Sequence, residues 1–298
     1  MRLAIIGAGK WGQALNHAFS RHPGNDVVIT SPRPRDLPNF VPVEEALSRE
    51  YLVLVIPAQH VRHWMEEHFS DRGQKILVAA KGIEIATGSL LNEVFEAFVP
   101  SERLAFLSGP SFAKEVMESL PTALVVSSLN PSLAEEYAAA LPDFIKGYTD
   151  DDVVGAEVGG AYKNVIAIAG GVCDGLKLGN NARAAMISRG LVEMSRFGIH
   201  LGARAETFLS LGGAGDLFLT ASSRLSRNYR VGLGLAEGKS LEEILRGLGE
   251  VAEGVGTTRA LQRIAERDGL YLPIAAEVYA MLEEGKDPRK SVEDLLRS

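Results

Sequence analysis

Six short runs of apolar, largely β-branched residues recur through the first half of the chain, spaced by helix-like stretches. They are 2–7 (RLAIIG), 26–31 (DVVITS), 51–57 (YLVLVIP), 75–81 (KILVAAK), 103–109 (RLAFLSG) and 122–128 (TALVVSS). Most are continuous rather than alternating. That is the pattern of strands covered on both faces, which a parallel sheet between two layers of helix provides. Helical spacing at 12–21, 60–69, 88–98 and 131–140 supplies those layers. The segment up to residue 150 therefore predicts a doubly wound α/β domain with a mostly parallel sheet. The proline-rich stretch 31–43 reads as a loop.

Beyond Asp150, Asp151 and Asp152 the texture changes. No clear strand run follows, and helical spacing covers 155–173, 181–199, 205–210, 216–226, 229–237, 240–247, 257–268, 274–284 and 290–297, punctuated by glycines. The chain length of 298 residues suits two cores. The expected division is a dinucleotide-binding domain, 1–150, and an all-helical substrate and catalytic domain, 151–298.

The charge balance excludes some partners. A formal net charge of -7 and no long basic run argue against nucleic acid, so clustered basic residues are better suited to a small anion. The single cysteine, Cys173, allows no intrachain disulfide and reads as a buried small hydrophobe. The apolar start is too short for a signal peptide, and no run approaches a membrane span. A cytoplasmic protein without stable membrane insertion is the expectation.

Gly7-Ala8-Gly9-Lys10-Trp11-Gly12 is a G-x-G-x-x-G sequence between a buried strand and a helix, the context of a Rossmann-like dinucleotide site. The first glycine permits the turn, the second lets backbone approach a pyrophosphate, and the third lets helix and strand pack closely. After the second strand comes Thr30-Ser31-Pro32-Arg33-Pro34-Arg35, where an NAD-preferring site carries a carboxylate. Arg33 suits a 2′-phosphate, which favours NADP(H) and leaves NAD(H) open. Its bland alternative is a solvated loop charge. Lys81 closes the fourth strand, and Gly109-Pro110-Ser111 closes the fifth, both where ligands of open α/β sheets lie. Ser111 is also placed to cap a following helix, and Lys81 also reads as a strand-end surface lysine.

Lys163 interrupts the most apolar helix, GGAYKNVIAIAGGV, from residue 159 to residue 172. Burial lowers a lysine pKa toward the range that suits proton exchange with an alcohol or carbonyl oxygen. The alternative is a lysine that snorkels to water. Asp216, in GGAGDL, stands at a helix start, where an N-cap is the plain reading. Ser226-Arg227-Asn228 gathers donors that suit a phosphate dianion, or else forms a solvated helix end.

Taken in order, GAGKWGQAL, KGIE, SGPSFAKE, LPTA, GGAYKNVIAIAGG, DGLKLGNNARAAMISRGLVEM, GGAGDL, SRNYR, VAEG and LPI resemble the bacterial NAD(P)-dependent glycerol-3-phosphate dehydrogenases over essentially the whole chain. The resemblance implies reversible reduction of dihydroxyacetone phosphate to sn-glycerol 3-phosphate, a homodimer, and a supply of backbone for glycerophospholipids. It implies Lys163 as catalytic acid/base and Lys81 as a bridge between cofactor and substrate. It places Gly109, Ser111, Asp216, Ser226, Arg227 and Asn228 around the substrate, with Arg227 and Asn228 on the phosphate. Gly7, Gly9, Lys10, Trp11, Gly12, Arg33, Lys81, Ala113, Arg227, Val251 and Glu253 are the implied dinucleotide contacts, and no metal is implied. Three features depart from the pattern, the smallest being Ser111, which replaces the threonine of some relatives and keeps the hydroxyl. Lys10 stands where relatives carry Ser or Thr, and the 31–43 loop is short and proline-rich. Other two-domain reductases, and a non-enzymatic NAD(P)H sensor, are the rival readings.

Overall fold

A computed structural model describes residues 1–249 and 251–297. The first part is a seven-stranded sheet in the order β2-β1-β3-β4-β5-β6-β7. The strands are β1 (Arg2–Ile6), β2 (Asp26–Thr30), β3 (Tyr51–Leu54), β4 (Lys75–Val78), β5 (Leu104–Ser108), β6 (Thr122–Ser127) and β7 (Ile145–Asp150). The first five run parallel to their neighbours. β6 lies antiparallel to β5 and parallel to β7.

Successive strand residues feed opposite cores, as the pleat requires. Leu3 and Ile5 pack with α1 (Lys10–Arg21) on one face; Ala4 and Ile6 face α2 (Val43–Ala46), α3 (Val61–His68) and α4 (Leu91–Glu96) on the other. Two further helices, α5 (Ala113–Met117) and α6 (Pro131–Ala139), lie on the α1 side. With both faces covered, continuous apolar strands have no solvent side, which is why they lack alternation. β7 was not expected. Only Ile145 of its six residues is buried, so it carries no apolar run and forms as an edge strand on the backbone of β6.

The rest of the described chain is helical: α7 (Val153–Gly175), α8 (Asn180–His200), α9 (Asp216–Ala221), α10 (Arg227–Ala236), α11 (Leu241–Leu248), α12 (Glu253–Asp268), α13 (Pro273–Glu283) and α14 (Pro288–Arg297). The expected helix at 205–210 is a 3-10 turn, followed by a π-helical turn at Leu211–Gly215. Asp152 caps α7 by accepting from Gly155 N at 2.9 Å. α7 is buried on every side, Cys173 included, because α8, α9, α10 and α12 surround it and β5 abuts it.

Glycines let α10 approach α7. A Cβ on Gly171 would stand 2.0 Å from Tyr229 O, and one on Gly232 would stand 1.9 Å from Ile168 O. Gly171→Ala therefore forces the two helix backbones apart and is expected to cost about 3 kcal/mol, lowering Tm by about 6 °C. Gly247→Ala in α11, where nothing lies within 4 Å, is the matched control. Equal melting of the two variants would refute the close-packing account.

Candidate active site

The glycine turn occupies the crevice where the strand order reverses, between β1 and β3. Gly7 has φ +116°, a conformation that favours glycine, and a Cβ there would meet Val55 O at 2.8 Å. A Cβ on Gly12 would stand 1.8 Å from Gly7 O, so only glycine lets α1 start this close to β1. Gly9 differs, since a Cβ there would meet nothing within 4 Å. It precedes α1, a 12-residue helix, and supplies no side-chain cap to the first N–H groups. A bare backbone and an uncapped helix start fit a dinucleotide pyrophosphate. Lys10 is exposed at the same turn. Trp11 leans over the strand ends and donates from Nε1 to Ala79 O at 3.2 Å, two residues before Lys81.

The lysines meet over one carboxylate. Asp216, 1% exposed, accepts from Lys163 Nζ at Oδ1 and from Lys81 Nζ at Oδ2, the latter at 2.7 Å. Thr220, one turn further along α9, adds a bond to Oδ1 at 3.3 Å. Burial pushes the Lys163 ammonium down to about 7, against the pull of Asp216 and with the repulsion of Lys81. Burial also pushes Asp216 upward, but the two ammonium groups outweigh it and hold the carboxyl below its ordinary value. The snorkelling alternative for Lys163 is thereby overturned, because the side chain is buried with a partner. The plain reading of Asp216 as an N-cap is overturned too: it is the first residue of α9, and its carboxylate points at the lysines.

Other elements close around this cluster. Gly160, one turn before Lys163, lets the Lys81 stem cross α7, since a Cβ there would stand 3.3 Å from Lys81 Cδ. The π-helical turn before Asp216 packs on the end of β5, where a Cβ on Gly215 would lie 3.8 Å from Pro110 Cδ. Gly109 turns at φ +110° and Ser111 Oγ donates to Gly109 O at 3.1 Å. Ser111 does not cap α5, whose N-cap is Phe112, so the helix begins one residue too late for the expected bond.

Ser226 caps α10 by accepting from Tyr229 N at 3.2 Å. Asn228 Oδ1 accepts from Gly254 N at 3.0 Å, joining α10 to the start of α12. A Cβ on Gly254 would also stand 2.8 Å from Asn164 O, the residue after Lys163. Glu253 Oε2 lies 3.6 Å from a Cβ placed on Gly82, the residue after Lys81. Burial raises Glu253 to about 7, with the Arg227 guanidinium pulling it the other way. The contacts thus bring Lys81, Lys163, Asp216, Arg227, Asn228 and Glu253 to one cleft between sheet and helices.

Three expected residues stand apart. Arg33 is exposed in the 31–42 loop, and its carbonyl accepts from Ser31 Oγ at 2.7 Å. Val251 is 54% exposed ahead of α12. Ala113 is half-buried against the α1 core. Thr220 and Gly160 were missed by sequence reasoning. Thr220 had one weak signal, its i+4 spacing from Asp216 on a helix face.

A glycine turn at a strand-order reversal, beside a lysine–aspartate–lysine cluster centred on a buried carboxylate and roofed by helices, defines an NAD(P)-dependent dehydrogenase. Residues 25–134 match the family model described as NAD-dependent glycerol-3-phosphate dehydrogenase N-terminus, and residues 152–293 match the one described as its C-terminus. The chain belongs to the NAD-dependent glycerol-3-phosphate dehydrogenase family. It is 61% identical over 295 residues, 99% of each chain, to glycerol-3-phosphate dehydrogenase [NAD(P)+] of Sulfurimonas denitrificans. It is 62% identical over 99% of this chain and 98% of the relative to the enzyme of that name from Nitratiruptor. The crystal structure of glycerol-3-phosphate dehydrogenase from Coxiella burnetii superposes with TM-score 0.91 at 33% identity, covering 100% of this chain and 99% of that one. The chain is accordingly an oxidoreductase that uses NADP(H) or NAD(H) and interconverts dihydroxyacetone phosphate and glycerol 3-phosphate. Among the described residues, no helix is long and apolar enough to cross a membrane.

Proposed function

We propose that Lys163 is the acid/base of this reaction and that Asp216 and Lys81 set its charge. One observation carries the reading: a buried ammonium, brought to about 7, shares a buried carboxylate with a second lysine at the mouth of the cofactor crevice. NADPH, when bound, supplies the hydride. As the carbonyl oxygen gains negative charge, Lys163 gives it a proton from Nζ; in the reverse direction the neutral amine takes one from the alcohol. Asp216 stays ionised throughout and holds both ammonium groups in place. Gly109 and Ser111 line the floor of the cleft. Ser226, Arg227 and Asn228 hold the substrate phosphate, Asn228 through its NH2, since its oxygen is committed to Gly254 N. That remote grip orients the carbonyl.

The cofactor lies along Gly7, Gly9, Lys10, Trp11 and Gly12, with Lys81, Ala113, Arg227, Val251 and Glu253 beside it. Arg33 meets the 2′-phosphate, which gives NADPH preference over NADH. The division at 150/151, with 250 and 298 outside the described residues, separates cofactor from substrate domain. The enzyme works as a cytoplasmic homodimer that supplies glycerophospholipid synthesis. Initial rates of dihydroxyacetone phosphate reduction with NADPH and then NADH test the reading, and equal kcat/KM for the two would remove the role of Arg33. Arg227→Ala is expected to raise KM for dihydroxyacetone phosphate about thirtyfold, the scale of a lost charged hydrogen bond, with KM for NADPH moving less. An unchanged KM for the phosphorylated substrate would overturn the phosphate assignment.

A further inference from the structure

Glu157 is the most deeply buried carboxyl outside the lysine cluster that makes contact across the two parts of the fold. It lies on α7, two turns ahead of Lys163, and its oxygens accept from Asn92 N at 3.1 and 3.2 Å. Asn92 is the second residue of α4, the first element after the segment 79–90 that carries Lys81. One turn beyond Glu157 on the same helix is Gly160, the bed of the Lys81 stem. Glu157 and Lys81 also bound one small cavity, of about 10 Å³, with Val78, Gly82, Phe106 and Gly160. That is the volume of a single water between an acid and an ammonium stem.

The rest of the segment is gripped from elsewhere. Gln59 donates to Ile83 O at 2.7 Å and accepts from Ile85 N at 2.9 Å. Arg62 pairs with Glu84 through two bonds of 2.8 and 2.9 Å, and Arg263 of α12 donates to Ile85 O at 2.7 Å. On the α7 side Ile83 and Leu90 of the segment pack into the core around Val158, Ala161 and Tyr162, and Glu157 adds a polar tie to that apolar contact.

We propose that Glu157 is a positioning residue for Lys81: its carboxyl ties α7 to the start of α4 and thereby fixes where the Lys81 ammonium stands against Asp216 and Lys163. It does so without charge. Burial pushes the Glu157 carboxyl up to about 8, against the pull of the backbone N–H groups, and Glu93 and Glu96 on α4 push the same way. An amide of the same shape therefore does the same work at neutral pH.

The inference rests on the reading of Lys163 as proton donor, and the test separates the two. The measurement is kcat for dihydroxyacetone phosphate reduction against pH for wild type, Glu157→Ala and Glu157→Gln. Wild type is expected to lose rate as pH rises through about 7; absence of that limb refutes the Lys163 reading itself. Lys81 repels the Lys163 ammonium, so a displaced Lys81 lets Lys163 hold its proton to higher pH. Glu157→Ala is thus expected to move the limb up by about half a pH unit and to lower kcat about tenfold. Glu157→Gln is expected to keep both at wild-type values. Should the alanine variant not fold, Asn92→Pro, which removes the Asn92 N–H while leaving Leu91 N–H and Glu157 in place, is expected to move the limb in the same direction. A wild-type limb retained in Glu157→Ala or Asn92→Pro, or a glutamine variant as impaired as alanine, would overturn the inference.

Discussion

Lys163→Ala is expected to lower kcat for dihydroxyacetone phosphate reduction at least about a hundredfold, the low end of what a positioned general acid contributes. The fold is expected to survive. Alanine is at home in a helix that is apolar on all sides, and Asp216 keeps Lys81 at 2.7 Å and Thr220 at 3.3 Å, so no buried carboxylate is left alone. KM for NADPH should stay close to wild type, because Lys163 stands on α7, away from the glycine turn before α1. The pH profile carries the stronger check. With its ammonium at about 7, wild-type Lys163 gives a reduction rate that falls above neutrality and an oxidation rate that rises through the same range. Both limbs vanish in the alanine variant, and a small primary amine in the buffer should restore part of the rate. Circular dichroism and stopped assays on the same preparation check it, and turnover within a few-fold of wild type would remove Lys163 from the chemistry.

Lys163 was legible because a charge inside GGAYKNVIAIAGGV has to be explained, whatever the fold. Its partner was legible only through the family resemblance, which sets Asp216 and Lys81 in the polar network around Lys163; Asp216 lies 53 positions further on, and spacing alone does not report the contact. Aspartate at a helix start reads as a cap, and only the three-dimensional turn at 211–215 aims it inward. The first six strands were legible for a single physical cause, burial on both faces, which writes a continuous apolar run. β7 escaped for the converse reason: an edge strand needs only a backbone partner, so IKGYTD carries no apolar signal. The reversed direction of β6 is likewise silent, since residue type does not encode strand polarity. Ser111 misled because hydroxyl residues before helices usually cap them, and here α5 begins a residue later. Glu157 drew no reading from the sequence, because its meaning depends on α4 lying across it.

Asp216→Asn is expected to separate charge from shape at the same site. The amide fills the same space, but it cannot balance two ammonium groups. With side chains 8% and 19% exposed, Lys163 is less hydrated than Lys81, so loss of the carboxylate falls hardest on its ammonium. Its pKa should fall from about 7 to roughly 5 without the opposing carboxylate. At pH 7 only about one molecule in a hundred then carries the proton, against about half in wild type, so kcat for reduction should drop about fiftyfold there. Acidification to pH 5.5 should restore about a quarter of the wild-type rate, whereas Lys163→Ala gains nothing from acid. The oxidation direction, which needs the neutral amine, should suffer less than reduction. Thermal stability should change little at pH 7, because the variant relieves the buried charge by deprotonation rather than by unfolding. Parallel pH profiles in both directions check this. A constant ratio of variant to wild-type kcat from pH 5.5 to 8 would mean that Asp216 holds the lysines by geometry alone, and that the acidity of Lys163 is a product of burial.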